Sequence, residues 1–144
     1  MINKLDVDIK ECVGAIDLGT NSSRLLIVDK NLEPVFRDVR HVALGEKLAE
    51  TGKFCDIAME RAICSFMDFK EMMEIYNVKK YRAIATAACR ISNNTKDFIE
   101  DIKKSSGLDI DVISEYEEAR LTHKGATLNA SKDKKYLFVY DLGG

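Results

Sequence analysis

The segment that most constrains this chain is a pair of short apolar runs joined by Asp17-Leu18-Gly19-Thr20-Asn21-Ser22. Val13-Gly14-Ala15-Ile16 leads in and Ser23 to Val28 leads out, which reads as strand, tight turn, strand. Asp29-Lys30-Asn31-Leu32-Glu33-Pro34 is turn chemistry, and Val35 to Leu44 reads as a third strand. Two short connections in a row predict an antiparallel meander. Gly19 allows the first turn to be tight. Thr20, Asn21, Ser22 and Ser23 bring backbone N–H groups and short polar side chains to one point, a nest that suits phosphate oxygens. Asp17, at the strand end, is placed to hold a divalent cation. Arg24 adds a charged fork. A plain hairpin with a polar turn is the structural alternative.

Beyond the meander the period changes. Met59, Ala62, Ile63, Phe66, Phe69, Met73 and Tyr76 recur at three and four, predicting an amphipathic helix with Asp56 at its N-cap. Arg82 to Ala88 reads as a strand. Asn94 and Gly107 bracket a helix carrying Phe98, Ile99 and Ile102. Ile110 to Ile113 is the next strand, Ser114 to about Leu128 a helix, and Tyr136 to Tyr140 a last strand. Strands alternating with helices predict an α/β fold, mostly parallel and covered on both faces.

Three further places carry chemistry. Ser114-Glu115-Tyr116-Glu117-Glu118-Ala119-Arg120 puts three carboxylates at a helix start. A capping box between Ser114 and Glu117, together with the helix dipole, explains part of this. Glu118, about 100° further round, is left to face a cleft and take a proton from water. Arg90 follows the small-residue run Ala85-Thr86-Ala87-Ala88-Cys89. It is either a phosphate clamp at a strand's carboxyl end or a surface arginine. Phe138-Val139-Tyr140-Asp141-Leu142-Gly143-Gly144 echoes the first motif. Two such loops facing each other would grip a phosphate and its metal from both sides.

Composition excludes several classes. A net charge of −2 gives no field for nucleic acid or a membrane surface. Short apolar runs such as Leu25 to Val28 cannot span a bilayer. Acids at Asp6, Asp8 and Glu11 do not suit a signal peptide. Cys12, Cys55, Cys64 and Cys89 form no C-x-x-C pair and read as reduced thiols in a cytoplasmic protein. His41 and His123 do not make a histidine-based metal site. No Walker A or G-x-G-x-x-G fingerprint is present.

In combination, Ala-Ile-Asp-Leu-Gly-Thr-Asn-Ser-Ser-Arg-Leu, Ala-Thr-Ala-Ala-Cys-Arg, Ile-Ser-Glu-Tyr-Glu-Glu-Ala-Arg-Leu and Asp-Leu-Gly-Gly resemble the exopolyphosphatase / guanosine pentaphosphate phosphohydrolase family. That family belongs to the actin, sugar-kinase and heat-shock-chaperone superfamily. The resemblance covers about Val13 to Gly144. It implies a ribonuclease-H-like lobe over residues 1–130, with a mixed five-stranded sheet in the order 3-2-1-4-5. Residues 131–144 would be a linker and the first strand of a second lobe. That strand, without its own lobe, is expected to be disordered or to pack on another copy.

Roles follow from the same resemblance. It implies Glu118 as the base for water and Arg90 as the phosphate clamp. It places Gly19, Thr20, Asn21, Ser22 and Arg24 on phosphate, and Gly143 and Gly144 at the start of a second phosphate loop. Asp17 and Asp141 would hold Mg²⁺, with a monovalent cation as a possible second ion. The implied substrate is polyphosphate or guanosine pentaphosphate, with release of terminal orthophosphate by a homodimeric full-length protein. A sugar- or acetate-kinase-like phosphotransferase and a non-catalytic guanosine tetra- or pentaphosphate sensor are the alternatives. Cys89 stands where leucine is usual, and Glu115-Tyr116 replaces a glycine-containing pair.

Overall fold

Alternation along the first two strands decides which way the sheet faces. In β1 (Val13–Leu18) the side of Gly14, Ile16 and Leu18 is buried. In β2 (Ser22–Val28) the same face carries Ser23, Leu25 and Ile27, all buried. The two strands pair antiparallel, Val13 opposite Val28 and Leu18 opposite Ser23. The computed structural model describes residues 12–128, 130, 133 and 135–141.

β3 (Pro34–His41) continues the meander beside β2. β4 (Lys80–Ala85) and β5 (Asp111–Val112) add parallel on the other side of β1. The order is β3-β2-β1-β4-β5, as the sequence predicts. Five helices are assigned among the described residues: α1 (Leu48–Thr51), α2 (Asp56–Ile75), α3 (Ala87–Ile91), α4 (Thr95–Ser106) and α5 (Glu115–Thr127).

The core lies between the buried sheet face and two of these helices. From α2 come Ala62, Phe66, Phe69 and Met73 of the predicted stripe, together with Ala58. From α4 come Phe98 and Ile102. Phe54 and Phe98 meet edge-on at 5.2 Å, joining the start of α2 to α4. Met59 and Ile63 pack half-buried against this cluster. The opposite sheet face, with Ala15, Leu26 and Ile84, has Leu121 of α5 beside it. α5 itself buries no side chain. No described helix is long and apolar enough to cross a membrane. All four cysteines are free thiols.

Several boundaries differ from the sequence expectation. β3 stops at His41, because the Val42 and Ala43 amides turn away to the Asn21 carbonyl. β4 stops at Ala85, and the alanines expected to extend it open α3, where alanine is the best helix former. Arg90 therefore stands within a short helix. β5 is only two residues long. Cys55 holds the N-cap of α2, and Asp56 sits in the first turn, where its charge still suits the dipole.

Asn94 does hold the N-cap of α4 without capping through its side chain. That amide instead accepts from the Phe54 N–H and donates to the Phe54 carbonyl. Gly107 ends α4 with φ of 74°, as expected for a glycine C-cap. Residues 136–140 are not a strand. No strand pairs with them among the described residues, and Tyr136 and Phe138 stand over 80% exposed, at 83% and 85%.

Gly14 shows how closely β1 lies on α2. A Cβ there would meet Met73 Sδ at 2.9 Å, Val78 Cγ1 at 3.3 Å and Tyr81 Cβ at 3.4 Å. Gly14→Val should therefore destabilise the chain by about 1–3 kcal/mol through overpacking, measured by urea unfolding. An unchanged midpoint would contradict this packing account.

Candidate active site

The parallel pairing of β1 and β4 brings Leu18 opposite Ala85, so both strands end at one level. Ligands in α/β sheets gather at such carboxyl ends. A pocket of about 520 Å³ opens there. Asp17, Gly19, Thr20, Asn21, Ser22 and Arg24 form one wall. Thr86 and Ala87 form the floor beside β4, and Glu118, Leu121 and Thr122 of α5 form the facing wall. Asp141 also reaches this pocket. The chain thus gathers nearly all the sequence-predicted residues that it describes into one place. Gly143 and Gly144 lie outside the described residues.

The turn is built differently from a free nest of amides. Gly19 donates its N–H to the Ser22 carbonyl at 2.9 Å, so this amide serves the turn. From outside, the Val42 and Ala43 amides hold the Asn21 carbonyl, and the Gly45 amide holds the Thr20 carbonyl. The peptide planes around Thr20 and Asn21 are therefore fixed before anything binds.

Asp17 and Arg24 face each other across the β1–β2 ladder, Nη1 to Oδ2 at 3.3 Å. Burial pushes the Asp17 carboxyl above its usual range, and the nearby charges of Glu118 and Asp141 push the same way. Arg24 opposes them without cancelling the effect. In the lining, the three carboxylates of Asp17, Glu118 and Asp141 stand against the single guanidinium of Arg24, so the pocket is net negative. Such a lining disfavours a bare anion. No cluster of three or more potential ligand side chains exists among the described residues. A pair of carboxylates still suits Mg²⁺, which takes one or two carboxylates and fills its shell with water and phosphate oxygens. Asp17 and Asp141, the two aspartates expected from the sequence, both line this pocket.

The neighbouring glutamates Glu117 and Glu118 diverge as expected. Ser114 Oγ accepts the Glu117 N–H at 3.2 Å, which is half of the capping box. The Glu117 side chain does not return to Ser114. It takes a two-point fork from Arg120, at 2.7 and 2.9 Å, and Arg82 approaches at 3.4 Å. These contacts, Arg120's first, hold its carboxyl down to about 2. Glu118 turns toward the pocket. Its Oε2 accepts from Arg90 Nη1 at 2.8 Å, and the same nitrogen donates to the Ile113 carbonyl at 3.0 Å.

Among the described residues, Arg90 is the one expected site residue that does not line this pocket. It lines an adjoining recess with Ala87, Ile91, Ser114, Glu115 and Tyr116. From α3 it reaches behind Glu118, where a strand-end arginine would have faced the phosphate directly. Five lining residues went unassigned in the sequence: Ile84, Thr86, Ala87, Leu121 and Thr122. Leu121 and Thr122 lie three and four residues after Glu118, so the helical repeat places them on its face.

The raised Asp17 carboxyl has a stability consequence. Ionising it costs more in the folded than in the unfolded chain, so its charge subtracts stability as pH rises from the ordinary aspartate range through its raised value. Asp17→Asn should raise the melting temperature at pH 7, with the gain shrinking toward pH 3. A lower melting temperature at pH 7 would contradict this.

Residues 25–144 match the family model described as the Ppx/GppA phosphatase family. An exopolyphosphatase 2 of Mycobacterium tuberculosis is 34% identical over 92% of this chain and 45% of its own length. A bifunctional 3-dehydroquinate synthase/phosphatase of Fusobacterium nucleatum is 31% identical over 90% of this chain and 21% of its own length. The crystal structure of the Aquifex aeolicus Ppx/GppA phosphatase, type II variant, superposes with a TM-score of 0.79 at 29% identity. That match covers 84% of this chain and 41% of the other. The chain spans less than half the length of each of these relatives.

Proposed function

Because the chain belongs to the Ppx/GppA phosphatase family, we propose that it forms the water-activating half of a phosphohydrolase acting on inorganic polyphosphate or guanosine pentaphosphate. The observation that carries this reading is a single pocket in which Glu118 faces the Asp17–Ser22 turn. Arg90 pins one oxygen of that glutamate from behind.

The terminal phosphoryl group would rest against Thr20, Asn21 and Ser22, with Arg24 beside it. Glu118 uses the carboxylate oxygen not taken by Arg90 to orient a water and accept its proton. The water oxygen attacks the terminal phosphorus in line with the bridging oxygen. The new P–O bond forms as the bridging P–O bond breaks, and orthophosphate and a shortened chain separate. Arg90 holds the glutamate in one rotamer during attack. This positioning role replaces direct contact with phosphate. Arg24 and the preset turn stabilise charge growing on the phosphoryl oxygens, an electrostatic effect that needs no rearrangement. Mg²⁺ held by Asp17 and Asp141 would supply charge neutralisation for the substrate phosphates.

In the full-length protein, Glu118→Gln should lower orthophosphate release at least 10²-fold while polyphosphate binding persists, an effect of the size proton transfer supplies, roughly 10²–10⁴. A variant keeping more than about a tenth of the rate would remove Glu118 as base. Mg²⁺ should raise the melting temperature of the wild-type chain and not that of Asp17→Asn. Equal shifts in both would remove Asp17 from the metal site.

A further inference from the structure

Between β3 and α1 the chain runs along the outside of the phosphate turn. Val42 and Ala43 donate to the Asn21 carbonyl at 2.9 and 3.1 Å, and Gly45 donates to the Thr20 carbonyl at 3.0 Å. Arg61 of α2 ties this segment down in turn. Its Nε donates to the Val42 carbonyl at 3.0 Å and its Nη2 to Glu46 Oε2 at 3.1 Å. Ala43 and Lys47 both hold left-handed φ values, 50° and 57°, without being glycine. Such conformations persist only where surrounding contacts over-determine them.

Gly45 occupies the middle of this brace. Its backbone is not in the left-handed region, so the requirement for glycine is one of space. A Cβ built on Gly45 would lie 2.6 Å from Thr20 Cγ2, a distance real Cβ atoms do not tolerate. The Thr20 methyl is thus seated on the bare α-carbon. Threonine is branched at Cβ, so one torsion places both its methyl and its hydroxyl. Seating the methyl fixes the hydroxyl, and Thr20 lines the pocket. We propose that Gly45 is a positioning residue: its missing side chain sets the Thr20 rotamer and thereby aims the Thr20 hydroxyl at a bound phosphate oxygen. This rests on the phosphohydrolase reading of the pocket.

The test uses the 144-residue chain and inorganic tripolyphosphate with Mg²⁺. Thr20 χ1 is read from three-bond couplings to its methyl carbon, and affinity from titrated amide shifts of Thr20 and Asn21. Gly45→Ala should move the Thr20 rotamer and weaken tripolyphosphate about tenfold, the size expected for a charged hydrogen bond. In the Thr20→Ser background, which lacks the clashing methyl, Gly45→Ala should change affinity less than about twofold, the additivity expected without contact. That contrast separates aiming of the hydroxyl from general loosening of the loop. An unmoved rotamer in Gly45→Ala overturns the proposal. So does equal weakening in both backgrounds, or wild-type binding that Gly45→Ala leaves intact. A wild-type chain that binds no tripolyphosphate overturns the phosphate reading itself, and the proposal with it. Should Gly45→Ala not fold alone, a folded double variant binding as Thr20→Ser does supports the proposal, and one binding tenfold more weakly overturns it.

Discussion

The contact on which the site depends most is the one Arg90 makes with Glu118 and the Ile113 carbonyl. α5 buries no side chain, so apolar packing does little to place it. Its first turn is instead held by polar ties: the Ser114 cap, the Arg82 and Arg120 contacts to Glu117, and Arg90 from α3. The Arg90 pair is the least exposed of these, at 20% and 32%. A charge-assisted bond in such a setting is stronger and better oriented than one on an open surface. It fixes where Glu118 points relative to the Asp17–Ser22 turn that shares its pocket.

The same pocket concentrates like charge. Asp17, Glu118 and Asp141 share it, and Asp17 is held above its ordinary range by burial and by the other two. A fold shaped for stability alone would not gather them. Under the proposed function, a divalent cation and a polyanion bound together would offset this charge. Gathering these carboxylates costs the fold stability, as the raised Asp17 carboxyl shows. The rigid side of the site lies opposite, in the turn at Thr20 and Asn21. Its carbonyls are committed to the strand-exit segment from Val42 to Gly45, whereas α5 is positioned mainly by side-chain contacts.

Much of this was legible in the sequence, and the misses have physical causes. The 3.6 period of Ala62, Phe66, Phe69 and Met73 predicts α2, and the two tight connections around β2 predict the meander, while the full sheet order comes from the family resemblance. Glu118 could be separated from Glu117 by helix geometry and capping alone. Arg90 was identified, but its surroundings were not. Ala87-Ala88 suits either a strand end or a helix, and only the tertiary context makes it α3. α1 and α3 are too short for any hydrophobic period to register. Gly45 carried no signal, because its importance lies in a contact with Thr20 that exists only once β3 has turned back on the loop. Residues 136–140 have strand-like composition, yet a strand requires a partner to pair with, and composition cannot supply one.

The central claim is that a water held by Glu118 attacks the terminal phosphorus. The most direct measurement is phosphate release by the full-length protein from polyphosphate in ¹⁸O-enriched water, with mass analysis of the product. The account predicts one solvent oxygen in each orthophosphate released, with no acceptor molecule required. Release without solvent oxygen, or turnover that appears only when a phosphoryl acceptor is added, would contradict it.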